Sequence, residues 1–139
     1  MKKTFFIIFF SLCLAGFSQK SKKKEDLIDI RKSKCLDKND ISTAEMCNCE
    51  IKAREDWDKQ LNSSYNLLKA KLSKDAFEIL KQSQKQWIIY RDNEFEFISK
   101  YYYEVKQGTM WYPVAEGRKT EIVKARTIEL KRYYDSIEY

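Results

Sequence analysis

Gln84 and Arg91 stand two helical turns apart in the run Leu80-x-x-x-Gln84-x-x-Trp87-x-x-x-Arg91-Asp92-x-Glu94-Phe95. Both fall inside the apolar stripe that this spacing describes, rather than opposite it. Arg126 takes the same position between Val123 and Leu130, and Asp58, Asn62 and Tyr65 recur at helical spacing upstream. Side chains of these types make directional, often charge-assisted hydrogen bonds. A guanidinium buried without a partner is very costly, so Arg91 and Arg126 need carboxylates or carbonyls. Asp58, Glu94 and Glu129, at the edges of the same stripes, are the natural candidates. With Asn62 and Gln84 they can form a network that fixes the register of packed helices, which is the expected role. The sharper role is a groove, lined also by Tyr65 and Trp87, that grips a partner. A second candidate surface is the segment YYYEVKQGTMWYP at 101–113, where Tyr102, Tyr103, Trp111 and Tyr112 gather around Gly108 and Pro113.

Other chemistries find little support. The chain has no histidine, which removes Ser-His and Cys-His catalysis. Carboxylates are numerous, but no acid/base pair stands out. There is no Gly-rich phosphate loop, and a closed zinc site is improbable with so few cysteines. The expectation is a non-enzymatic protein without cofactor or metal.

The elements that must position these residues are helical. Ser42 and Glu45 form a capping box, with Ile41 and Met46 as its staple. The helix they open is expected to run to about Leu72, with Met46, Ala53, Trp57, Leu61, Tyr65, Leu68 and Leu72 on one side. Ser73 is a second N-cap, opening a helix to about Tyr103 whose apolar arc holds Phe77, Leu80, Trp87, Ile88, Phe95 and Ile98. A third helix is expected from about Thr120 to Ile137, with Ile122, Val123, Leu130, Tyr133 and Ile137 on its face and Arg126 at the centre. Three glycines and one proline leave little room for hairpins. The fold class is therefore all-α, with three main helices in an antiparallel, bundle-like arrangement.

The 139 residues suffice for one domain. Residues 1–18 have the form of a secretory leader: Lys2 and Lys3, an apolar run from Phe5 to Gly16, then Gly16 and Ser18 before a cut at Gln19. Residues 19–34 form a basic linker or arm, and 35–139 the helical domain. The full chain has 27 basic and 21 acidic residues; loss of the leader leaves 25 basic, and four of these lie in residues 19–25. From Asp26 onward 21 basic face 20 acidic residues, so the domain is nearly neutral. The basic excess is thus a tail rather than a groove, which argues against nucleic-acid binding. It allows peripheral association with an anionic envelope surface. In an oxidising compartment at least one pair among Cys35, Cys47 and Cys49 is expected to be bridged, pinning the N-terminal arm to the first helix. Spacing leaves open whether Cys47 or Cys49 is the partner.

The blocks Cys35, Met46-x-x-Cys49, Asp58-x-x-Leu61-Asn62-x-x-Tyr65, Leu80 to Glu94 and Arg126-Thr127-x-Glu129-Leu130 together resemble the LprI-like lysozyme inhibitor family of small exported bacterial domains. The resemblance covers Cys35 to Leu130. It implies that Cys49 pairs with Cys35, and that the protein partner is a lysozyme-type muramidase. It also implies a cysteine where Phe95 stands and another around Glu116 to Arg118. Both are absent, as expected when a whole disulfide is lost and Phe95 packs in its place. The domain shows no acidic excess to complement a strongly basic lysozyme. A structural or adaptor role, held near an anionic surface by Lys20 to Lys24, is therefore the alternative function.

Overall fold

The computed structural model of the protein describes residues 25–137. The leader and nearly all of the lysine-rich tail, on which the export and tethering expectations rest, lie outside them. The described residues form four α-helices and no strand: α1 (Leu27–Leu36), α2 (Thr43–Lys71), α3 (Lys74–Ser99) and α4 (Trp111–Ile137), with a π-helical turn at Lys100–Val105. The all-α expectation holds, but the count of three helices does not. The fourth is α1, which begins inside the stretch assigned to a basic arm. Asp26 caps it by accepting from the Ile28 amide, and Ile28 is buried against Ala53 and Trp57.

The two later caps are as expected. Ser42 accepts from the Glu45 amide while the Glu45 carboxylate accepts from the Ser42 amide at 2.9 Å. Ser73 accepts from the Ala76 amide. The start of α4 differs from its expected place, lying nine residues earlier, at Trp111 rather than Thr120. Pro113 does not prevent this, because the first amides of a helix have no intrahelical acceptor to lose.

Partner numbering gives the topology. Cys35 is bridged to Cys49, with Cα atoms 5.8 Å apart, and Arg31 pairs with Asp56 at 3.2 Å, so α1 runs antiparallel to α2. Closing a loop of this length stabilises the fold by about 3 kcal/mol in the chain-entropy account. Thr120 bonds the Glu50 carbonyl and Thr127 the Trp57 carbonyl, so α2 and α4 run parallel. Tyr103 meets Glu116 and Gln84 meets Arg126, so α3 is antiparallel to α4.

The core is the α2–α4 seam with Ile28 added: Ala53, Trp57, Leu61 and Leu68 against Val123 and Leu130. Thr120 and Thr127 are fully buried in it. Each hydroxyl is shared between its own helix, at the i−4 carbonyl, and a carbonyl of α2. This corrects the expected face of α4, which is rotated toward the threonines. Tyr133 and Ile137, assigned to the core face, are exposed, and Ile122 is only half-buried.

Candidate functional site

The polar residues that stood out in the sequence do not join into one network among the described residues. Asn62 bonds within its own helix, donating to the Asp58 carbonyl at 2.9 Å and its carboxylate at 3.2 Å. Tyr65 packs its ring against Phe77, with centroids 5.4 Å apart. Arg91 is neither deeply buried nor paired with Asp58 or Glu94. Its guanidinium lies over Trp87, 5.4 Å from the ring centroid, and donates two bonds to the neighbouring Asp92. That solution corrects the expected one: the charge stays near solvent, while its flat face covers an aromatic ring. Arg126 behaves as expected, donating to Glu129 at 2.6 Å and to Gln84 at 3.0 Å, with Ser83 at 3.2 Å.

Geometry does bring most of these groups to one place. Asn62, Tyr65, Gln84, Trp87 and Arg91 line a groove of about 390 Å³ between α2 and α3. Arg126 borders a larger groove of about 760 Å³ between α3 and α4, and Trp87 forms a wall of both. Asp92 points away into solvent.

The aromatic segment is ordered by two unusual pieces of backbone. At the end of α3 the chain widens into the π turn, closed by the Lys106 amide donating to the Tyr101 carbonyl. Gln107 and Gly108 then take left-handed φ values of 55° and 93°, reversing the chain before Trp111 starts α4. The turn keeps Tyr101 and Tyr102 together, edge-on with ring centroids 5.0 Å apart, and sends Tyr103 to a different neighbour. Tyr102 reaches Trp111, with ring centroids 6.0 Å apart, and Tyr103 meets Tyr112 edge-on at 4.9 Å. The Lys106 ammonium sits over both Tyr101 and Trp111, at 5.7 Å and 5.3 Å. Tyr103 does not belong to an outward surface, since its hydroxyl turns inward and donates to Glu116 at 2.7 Å.

Glu116 is the functional-looking residue that sequence reading missed. It is buried at the head of α4 and accepts from Arg54 at 2.6 Å, Lys119 at 2.9 Å and Tyr103. Burial alone would raise its pKa; the bonds from Lys119, Arg54 and Tyr103 outweigh it and hold the carboxyl below its ordinary value. Burial first, then the bond to Glu116, push the Tyr103 phenol well above its own. Cys47 lies near enough to feel the same charge: burial first, then Glu116, raise its thiol. The one available signal was the spacing of Glu116, Lys119, Thr120 and Val123, visible only if α4 is continued back past Gly117. Arg54 also lies 5.5 Å over the Phe95 ring. It therefore links the two regions where the family resemblance implies cysteines, using a cation–π contact and an ion pair instead of a covalent bond.

This arrangement holds no grouping of ligands suited to a metal among the described residues. Nor is any helix among them long and apolar enough to cross a membrane. What the surface shows is two grooves that share Trp87 and a partly exposed aromatic turn.

Comparison with known proteins agrees with the sequence blocks. An uncharacterized protein of Rhizobium meliloti, strain 1021, is 31% identical over 94 residues, covering 58% of this chain and 66% of that one. The crystal structure of an uncharacterized protein from Burkholderia thailandensis superposes with a TM-score of 0.72 at 28% identity, covering 80% of this chain. The chain spans only 54% of that second protein, and just under two thirds of the first. The family model described as lysozyme inhibitor LprI matches residues 35–130, from the disulfide in α1 to the last buried leucine of α4, and the chain belongs to that family.

Proposed function

We propose that the protein is an exported, non-enzymatic binding module that restrains lysozyme-type muramidases at the cell wall, and that it grips its target with the aromatic turn between α3 and α4. Family membership supports the class of partner. The observation that carries the choice of surface is the turn itself. Val105 and Met110 are 70% and 69% exposed at its tip, while the tyrosines, Trp111 and Lys106 hold one another in place behind them. An apolar tip on a pre-ordered aromatic base loses little entropy on docking, and Tyr and Trp dominate interface energetics. Tyr102, Trp111 and Tyr112 are the contact residues in this reading; Tyr103 supports them from inside.

The test is a cell-wall lysis assay in which the purified chain is titrated against several lysozymes. Slowed lysis is expected, and the variant Trp111→Ser with Tyr112→Ser should weaken inhibition by about a hundredfold, the loss of two hot-spot side chains. No slowing of any lysozyme at micromolar excess would sink the proposal. Unchanged inhibition by the double variant would move the contact elsewhere.

A further inference from the structure

The larger groove has the geometry of an unfinished helix bundle. On α3 and the π turn its wall is Tyr90, Glu94, Phe97 and Tyr101; on α4 it is Arg118, Ile122, Ala125 and Arg132. With Glu129 between Ala125 and Arg132, both rows advance by alternating steps of four and three, so each is one continuous stripe along its helix. Two antiparallel helices that turn such stripes to the same side are one half of a four-helix bundle. The stripe on α3 is strongly exposed at Tyr90 (52%) and Phe97 (62%), two turns apart; Ile79 (73%) lies three turns before Tyr90, outside the groove, with Ser83 and Gln86 between them. Exposed aromatics at Tyr90 and Phe97, facing Ile122 across the groove, are more than scattered surface hydrophobicity.

Charge identifies what covers it. Glu94 lies on one wall, Arg118 and Arg132 on the other, and none of the three is in an ion pair among the described residues. Their neighbours Arg126 and Glu129, by contrast, pair with each other. A face that carries both members of unmade ion pairs beside an apolar stripe is complementary to itself, as a two-fold interface requires. We infer that the occupant is a second copy of this chain. Two α3–α4 pairs close about a two-fold axis into a four-helix bundle, with Tyr90, Phe97 and Ile122 at its centre. Glu94 of each copy then meets an arginine of the other. This goes beyond muramidase binding and leaves Val105 and Met110 at the tip of the aromatic turn free, with Tyr102 at the border shared by the two surfaces.

Sedimentation velocity over a dilution series of the purified chain tests this, run on the native sequence and on Cys47→Ser, which removes any interchain disulfide. Both are expected to be dimers at micromolar concentration that dissociate on dilution. Phe97→Glu and, separately, Glu94→Arg should each raise the dissociation constant by about a hundredfold, the effect of a buried like charge or a lost apolar anchor. Helicity should hold, and so should the thermal midpoint measured at dilutions where the native chain is also monomeric, because both positions lie outside the monomer's buried core. Adding Arg118→Glu and Arg132→Glu to Glu94→Arg should restore the dimer, which a general disturbance of α3 would not. A monomer at the highest soluble concentration overturns the inference. So does a dimer indifferent to these charges or abolished by Cys47→Ser, and so does a groove that takes up only the helix of another protein.

Discussion

Helices α2 and α4 each bury seven residues, whereas α3, of nearly the same length, buries only Gln84 and Ile98. The seam between α2 and α4 is built from side chains that let two helices approach closely, Ala53, Thr120 and Thr127 among them, with Trp57 and Leu68 filling the rest. α3 meets that seam through Trp87 and Phe95, and through Arg126, and turns its other faces to solvent. The fold is therefore carried by α1, α2 and α4. α3 and the aromatic turn that follows it are a displayed element, and both proposed contacts, with a muramidase and with a second copy, draw on it together with the outer face of α4.

The largest expected effect sharpens that division. Trp57→Ala empties the middle of the seam and should cost about 3–5 kcal/mol, read as a lowered urea midpoint with an unchanged slope. Ile89→Ala on the open side of α3 should change stability by less than about 0.5 kcal/mol. Similar losses at the two positions would mean that α3 belongs to the core after all.

The all-α class, both serine caps, the core face of α2 and the family were legible because periodicity and capping chemistry are local. α1 was missed because its ten residues carry four charges and one buried side chain, and its stability comes from the disulfide and from pairs such as Asp29 with Lys124. The face of α4 was misplaced because Thr120 and Thr127 count as polar in sequence yet vanish into the seam once their hydroxyls bond to carbonyls. The Arg91 ion pair went to Asp92 because a guanidinium still 24% exposed loses less by staying near the surface than by crossing to Asp58. Of the candidate loop, the clustering of Tyr102, Trp111 and Tyr112 at one turn could be read from composition, while their part in binding rests on the proposal. That Tyr103 faces inward depends on Glu116, which no local pattern announces.

Glu116 marks where the two regions are tied, and it gives the next effect in size. Glu116→Ala leaves Arg54, Lys119 and Tyr103 without their shared acceptor and should cost about 3 kcal/mol. The same tie makes stability depend on pH in a definite direction. Because folding lowers the pKa of Glu116, its contribution is complete above the ordinary value of 4.5 and drains away as pH falls below it. Tyr103 acts oppositely. Folding raises its pKa, so its contribution is present below 10.0 and is lost as pH rises above that value. Urea midpoints across the pH range should fall at both ends, and Glu116→Gln should remove much of the acid limb. An acid limb unchanged in that variant would assign the loss to other carboxylates.

The smallest effect probes whether the seam is filled at its upper end. Gly117 lies inside α4, where glycine is usually less stable than alanine by about 0.5–1 kcal/mol because the unfolded chain has more freedom to lose. Its backbone has no left-handed φ that would demand glycine. A methyl group placed there would meet the Glu50 carboxylate at 3.5 Å, an ordinary contact rather than a clash. Nothing in the packing of α4 on α2 therefore requires the glycine, and Gly117→Ala should stabilise the chain by about 0.5 kcal/mol. A loss of stability instead would mean that Glu50, which holds Lys32 of α1 at 3.6 Å, has no room to give, and that α1 and α4 are coupled through this carboxylate more tightly than α3 is to either.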